Sequence, residues 1–78
     1  MDQKTKNIRM QLRAMAPVDA IAWIRRFQLP EDQERVLIDH ECRNRSLQQI
    51  AEGMSLTADT VKTYRRKALR RIVNSLEL

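Results

Sequence analysis

Residues that interrupt a helix are almost absent from this chain, which has one glycine and two prolines in 78 residues. Average proteins hold about 7% glycine and about 5% proline, and folds with many tight turns depend on them. Strong helix formers such as Leu, Gln, Lys and Arg are frequent instead. The sequence therefore predicts an all-α protein of four to five short helices, without a glycine-rich loop that could hold a phosphate.

Prolines and capping residues divide the chain into segments. Pro17 and Pro30 each suit the first turn of a helix. Ser46 with Gln49 three residues later forms a capping-box pattern, and Thr57 is a further good N-cap. Together with the apolar spacing, these signals predict helices over about residues 3–15, 17–28, 30–42, 46–53 and 58–74.

The last two predicted helices are separated by a short turn. Gly53 is expected to end the first of them, and Ser55 lies within the turn, where a left-handed backbone would cost energy for any residue but glycine. A short helix, a tight turn and a longer helix predict a C-terminal helix-turn-helix. In such a unit the second helix enters the major groove of DNA, while the first presents its N-terminus to a phosphate.

The distribution of charge supports this interpretation. Residues 1–42 carry seven basic and seven acidic side chains, whereas residues 43–78 carry eight basic and three acidic ones and so hold the whole net charge of +5. Residues 62–71 alone carry six basic side chains and no acidic one. This asymmetry indicates a surface that binds nucleic acid, and a basic helix face that is merely solvated is the alternative.

Val61, Tyr64, Ala68, Leu69 and Ile72 form an apolar stripe on the last predicted helix, and polar residues off this stripe are expected to face DNA. The residues expected to face the major groove are Thr57, Asp59, Thr60, Lys62, Thr63 and Arg66. The residues expected to contact the sugar–phosphate backbone are Arg45, Ser46, Gln48, Arg65, Arg70 and Arg71.

Several short motifs recur in one known family. They are Leu29-Pro30 with Glu34-Arg35-Val36-Leu37, Ile50-Ala51-Glu52, Leu56-Thr57-x-x-x-Val61-Lys62 and Lys67-Ala68-Leu69-Arg70-Arg71-Ile72. With these motifs, 44 of the 78 residues resemble region 4 of bacterial sigma-70-type transcription factors. The resemblance implies a helix-turn-helix that reads the promoter −35 element and touches the RNA polymerase flap.

The resemblance also implies which residues read bases, namely Ala58, Asp59, Lys62 and Thr63. Asp59 can accept a hydrogen bond from cytosine, and Lys62 can donate to guanine. Ala58 and Thr63 depart from the family, which often has Arg and Gln at these positions, so we expect a target other than the usual −35 sequence.

We expect residues 29–78 to form the helix-turn-helix unit and residues 1–28 to form a helical extension used for packing or dimerisation. The extension has a generous set of apolar residues that either complete one core or form a protein interface: Val18, Ile21, Trp23, Ile24 and Phe27. Nothing in the 78 residues resembles the sigma region that melts DNA. Taken as a whole protein, the chain is therefore expected to be a small stand-alone regulator of bacterial or phage type.

No arrangement of side chains predicts catalysis, a metal or a cofactor. His40 lies between Asp39 and Glu41, but adjacent side chains diverge on a helix. Cys42 is the only cysteine, so an internal disulfide is excluded and a reducing, cytoplasmic location is expected. No run approaches the ~20 apolar residues of a membrane span.

The leading hypothesis is a sequence-specific transcription regulator that binds double-stranded DNA and is not an enzyme. One alternative is a protein-interaction module that binds RNA polymerase or a sigma factor. Another is a phage DNA-packaging protein, similar to a small terminase, that recognises viral DNA. A homodimer is a further possibility that the sequence leaves open.

Overall fold

The protein is described from a computed structural model that covers residues 2–77, and these residues form helices without any strand. In chain order the elements are α1 (Gln3–Ala14), α2 (Pro17–Arg25), α3 (Glu31–Leu37), a π-helical turn (Ile38–Cys42), α4 (Leu47–Met54) and α5 (Ala58–Leu76). The prediction of an all-α fold with a C-terminal helix-turn-helix is confirmed.

Side-chain caps start three of the helices. Asp2 accepts a hydrogen bond from the Thr5 amide, 2.8 Å away, at the start of α1. The predicted capping box of α4 is complete: the Gln49 amide donates to Ser46 Oγ at 3.0 Å, and the Ser46 amide donates to Gln49 Oε1 at 2.9 Å. At the start of α5, Thr57 Oγ1 accepts from the Thr60 amide at 3.2 Å. Because these caps satisfy amides that a helix leaves unpaired, local sequence determines where α1, α4 and α5 begin.

Helix α4 ends one residue later than Gly53, which was the predicted end. The helix continues to Met54, and Ser55 then adopts the left-handed conformation with φ 56° and ψ 41°. The Leu56 amide donates back to the Ala51 carbonyl at 2.9 Å, which closes the turn. A left-handed residue other than glycine costs about 1–2 kcal/mol, so Ser55 is a strained point of the turn.

The helix predicted over residues 30–42 is observed from Glu31 to Cys42, but its second half is π-helical rather than α-helical. After Leu37 the hydrogen bonds lengthen by one residue, and the Arg43 amide donates to the Ile38 carbonyl at 3.2 Å. This π-helical turn, which we call the π-turn, leaves Asp39 3% and Glu41 2% exposed. Such turns are rare and occur mostly as single turns within α-helices.

The core consists of two clusters that share α3 and α5. The first cluster joins α1, α2 and the π-turn to the C-terminal half of α5, through Ile8, Leu12, Ala20, Ile24, Leu29, Leu37, Ile38, Ala68, Leu69 and Ile72. The second joins α4 to the N-terminal half of α5, through Val36, Ile50, Ala51 and Val61. Helix α5 therefore forms the central element of the fold, and the division at residue 28 stays a prediction.

Val18 and Leu76 are large apolar side chains that lie in solvent. Val18 is 79% exposed and Leu76 is 58% exposed. Val18 is six residues from the fully buried Ile24, which is about 120° around a helix of 3.6 residues per turn. Leu76 lies at the last residue of α5. Within residues 2–77 no helix is both long and apolar enough to cross a bilayer.

Candidate nucleic-acid interface

The helix-turn-helix is held by apolar contacts on one side of each helix. Val36 from α3 packs with Ile50 and Ala51 from α4 and with Val61 from α5. Leu56 in the turn packs against the same cluster. Since these contacts use the inner face of α5, the opposite face of its first three turns remains open to a partner.

Three charged side chains form a stripe on this open face. Asp59, Lys62 and Arg66 are exposed and lie three and four residues apart, so they follow one another along the helix. Among the described residues 2–77, none of these three side chains takes part in a hydrogen bond or an ion pair. Their polar groups are therefore available to base edges, with Asp59 as an acceptor and the two cations as donors.

The threonines of the predicted base-reading set differ from these charged residues. Thr57 Oγ1 lies 2.9 Å from Thr60 Oγ1 and accepts from the Thr60 amide, and Thr63 Oγ1 donates to the Asp59 carbonyl at 3.1 Å. Their hydroxyls thus already have partners within the helix. Ala58, the remaining member, is half-buried at the first position of α5.

The predicted backbone contacts near α4 are partly engaged. Ser46 forms the capping box, and Gln48 Nε2 donates to Glu52 Oε1 at 3.4 Å. Arg45 Nη1 lies 3.8 Å from Asp39 Oδ2 and keeps about half of its side chain exposed. All three residues border the N-terminus of α4, where free amides and the helix dipole favour an anion.

The three arginines predicted to contact phosphates from α5 do not share one environment. Arg70 and Arg71 are exposed, and within residues 2–77 neither has an ion-pair partner. Arg65 is half-buried, and its Nη1 donates to His40 Nε2 at 3.2 Å. His40 Nδ1 in turn lies 2.9 Å from the Arg45 carbonyl, which can only accept. This arrangement assigns the ring proton to Nδ1 and leaves Nε2 as the acceptor for Arg65.

Burial has an electrostatic effect on Arg65. Loss of hydration, together with the positive charge of nearby Arg9, lowers the pKa of the Arg65 guanidinium from its usual value. Its Nε is buried and has no partner among the described residues. Arg65 therefore lies within the protein at the edge of the open face rather than on it.

Sequence reasoning missed the two buried carboxylates of the π-turn. Glu41 accepts from Arg9 Nε at 2.6 Å and from Arg13 Nε at 2.7 Å. Asp39 accepts from Arg43 Nη1 at 3.1 Å, and it also lies close to Arg45. Arg9 and Arg13 are four residues apart on α1, which was the one local signal for a shared acidic partner.

The apolar residues predicted as a possible protein interface are mostly packed in the first core cluster. Ile24 is fully buried, and Ile21 is half-buried. Trp23 and Phe27 are also half-buried and pack edge to face, with ring centroids 4.7 Å apart. Val18 is the member that lies largely in solvent, so a partner at this face would meet mainly the start of α2.

Comparison with known proteins identifies a family. The sequence model of the family described as Sigma-70, region 4 matches residues 27–73. No curated protein and no solved structure matches the chain. The matched range includes α3, the π-turn, α4 and most of α5, and it excludes α1 and α2.

Proposed function

The chain belongs to the sigma-70 region 4 family, and on this premise we propose that it is a transcription regulator that reads a specific double-stranded DNA sequence with α5. The observation that carries this proposal is the stripe of Asp59, Lys62 and Arg66, which is exposed and unpaired within residues 2–77. An α-helix fits the major groove, and its first turns reach the base edges there.

Each residue of the stripe suits a particular base. Lys62 and Arg66 donate to the O6 and N7 acceptors of guanine, and Asp59 accepts from the amino group of cytosine. A well-formed contact of this kind contributes about 1–3 kcal/mol of discrimination. Ala58 offers an apolar contact to a thymine methyl group, and Thr63 lies five residues further along α5. Because Ala58 and Thr63 stand where the family often has Arg and Gln, the proposed DNA target differs from the usual −35 sequence.

Contacts to phosphate supply affinity and position the helix. Arg70 and Arg71 on α5 and the N-terminus of α4 at Ser46 are the proposed contacts, with Arg45 and Gln48 beside that N-terminus. Each cation that neutralises a phosphate steepens the dependence of log K on log salt by about 0.9. Binding is consequently expected to weaken sharply as salt rises.

The first experiment selects and sequences duplexes from a randomised pool at two salt concentrations. We expect an enriched motif with a steep salt dependence. Lys62→Ala should lose about 1–3 kcal/mol and relax one base pair of the motif, whereas Lys67→Ala on the same helix should keep the motif unchanged. Absence of a motif, or equal weakening on all sequences by Lys62→Ala, would contradict the proposal.

Other partners are tested by their own outcomes. Family membership favours RNA polymerase as a second partner. A double variant with alanine at Lys62 and Arg66 distinguishes regulation through DNA binding from regulation through a bound protein. The double variant should abolish regulation if DNA is the essential partner, and should spare it if a protein bound near Val18 is. In solution, a dimer predicts half-sites about one helical turn apart, and a ring-shaped oligomer would support a DNA-packaging role instead.

A further inference from the structure

A groove of about 630 Å³ runs along α5 beside the N-terminal end of α1. On one side it is lined by Lys62, Arg66 and Arg70 of α5. On the other side it is lined by Asp2 and Thr5, which form the first turn of α1. This groove, which we call the α1–α5 groove, is thus formed by a helix within the family match and a helix outside it.

The charge of the α1–α5 groove is strongly positive. Arg65 completes a set of four cations on the α5 side, and Asp2 is the one acidic residue among those that line the groove. The Asp2 carboxylate already accepts the Thr5 amide as the cap of α1. Lys62, Arg66 and Arg70 are exposed and unpaired within the described residues. The groove therefore fits an extended polyanion.

The position of the α1–α5 groove relates it to the base-reading face. Lys62 and Arg66 belong both to the groove and to the stripe proposed to read bases. From Lys62 to Asn74 the groove spans twelve residues of α5, which is about 18 Å along the helix. A helix in the major groove lies between two sugar–phosphate strands, since that groove is only about 12 Å wide. One of those strands would pass on the α1 side of α5.

We propose that the α1–α5 groove seats the sugar–phosphate backbone of one DNA strand, so that α1 forms a second wall of the DNA interface. The proposal rests on the proposed function, because it takes α5 to be in the major groove. It adds a contact that the matched range cannot supply, since α1 precedes residue 27. If the groove holds DNA in this way, Asp2 lowers the affinity for DNA, because its carboxylate lies near the phosphates.

The first test compares Asp2→Asn with Asp19→Asn. Each variant removes one exposed carboxylate near the N-terminus of a helix. Asp2 is the N-cap of α1, where Asn caps as well as Asp does, and Asp19 lies in the first turn of α2. We expect Asp2→Asn to bind the selected duplex about three- to fivefold more tightly, which is the effect of one unit charge about 5 Å from a phosphate in water. Asp19→Asn should bind like the wild type. Fluorescence anisotropy at fixed salt measures both, and circular dichroism verifies the helical content.

The second test adds a charge. Thr5→Lys places a cation in the α1–α5 groove, and Gln11→Lys places the same charge on an exposed position of α1 outside the groove. Thr5→Lys should steepen the slope of log K against log salt by about 0.9, and Gln11→Lys should leave it unchanged. Neither variant should alter the selected motif, since phosphate contacts carry no sequence information.

The outcomes separate this proposal from the proposed function. If the wild type selects a motif while each variant binds like its control, the α1–α5 groove does not hold DNA and the proposed function stands. If the wild type binds no DNA even at low salt, both proposals are refuted.

Discussion

Replacement of Glu41 by glutamine tests whether buried charge fastens α1 to the rest of the fold. The two carboxylate oxygens of Glu41 accept separately from Arg9 and Arg13, at 2.6 and 2.7 Å, and the side chain has no exposed surface. Glutamine keeps the shape, but its neutral amide can accept only one of the two hydrogen bonds. Its amino group would face a guanidinium that cannot accept.

The size of the effect follows from these surroundings. Breaking a fully buried ion pair by removing one partner costs about 3–5 kcal/mol, because the other charge is left uncompensated. Here the side chains of Arg9 and Arg13 are 25% and 45% exposed, so water compensates part of the loss. We expect Glu41→Gln to lower the free energy of unfolding by about 2–4 kcal/mol. For a domain of this size that is about 10–25 °C in Tm.

This change in stability is measured by urea unfolding. The fluorescence of Trp23, the single tryptophan, and far-UV circular dichroism monitor the transition. Glu52→Gln is the matched control, since Glu52 is an exposed residue of α4 and its replacement should change stability by less than about 0.5 kcal/mol. A Glu41→Gln variant as stable as that control would show that the ion pairs add nothing. Combining Glu41→Gln with Arg13→Gln should then give no coupling energy, whereas our reasoning expects about 0.5–3 kcal/mol.

Three further predictions concern the backbone, the core and pH. Ser55→Gly should raise the free energy of unfolding by about 0.5–1 kcal/mol in urea titration, because it relieves a left-handed serine at some cost in chain entropy. Gly53→Ala should raise it by a similar amount, since the added Cβ would meet nothing within 4 Å. A loss of stability in either variant would contradict the turn geometry. Ile24→Ala should cost about 2–5 kcal/mol and Val18→Ala less than about 0.5, and equal costs would mean that α2 is not packed as described. Asp2 accepts a hydrogen bond from the Thr5 amide, which lowers the pKa of its carboxyl group. The stability that Asp2 contributes to α1 should therefore be full above about pH 4 and should fade as pH falls through the lowered pKa. NMR titration of the Asp2 carboxyl carbon measures this pKa.

The exposure of the predicted site residues could be predicted where local helix geometry governs it. Spacing along a helix was enough to separate Asp59, Lys62 and Arg66 from the inward-facing Val61, because every residue turns by the same angle. The same reasoning could not tell that Arg65 reaches inward to His40, since that contact joins residues 25 apart in the chain. Which of these residues touch DNA stays a prediction.

The sequence by itself determined the helical class, the caps of α4 and α5 and the turn between them. The reason is that capping, proline geometry and apolar periodicity act over three or four residues, within a single turn of helix. Tertiary structure alone decided the π-turn, the burial of Asp39 and Glu41, and the exposure of Val18. A carboxylate is stable inside a protein only when it is paired with a cation. Arg9 and Arg13, which pair with Glu41, are 32 and 28 residues from it in the sequence. No local sequence pattern encodes these ion pairs, because they depend on how α1 packs against the rest of the chain.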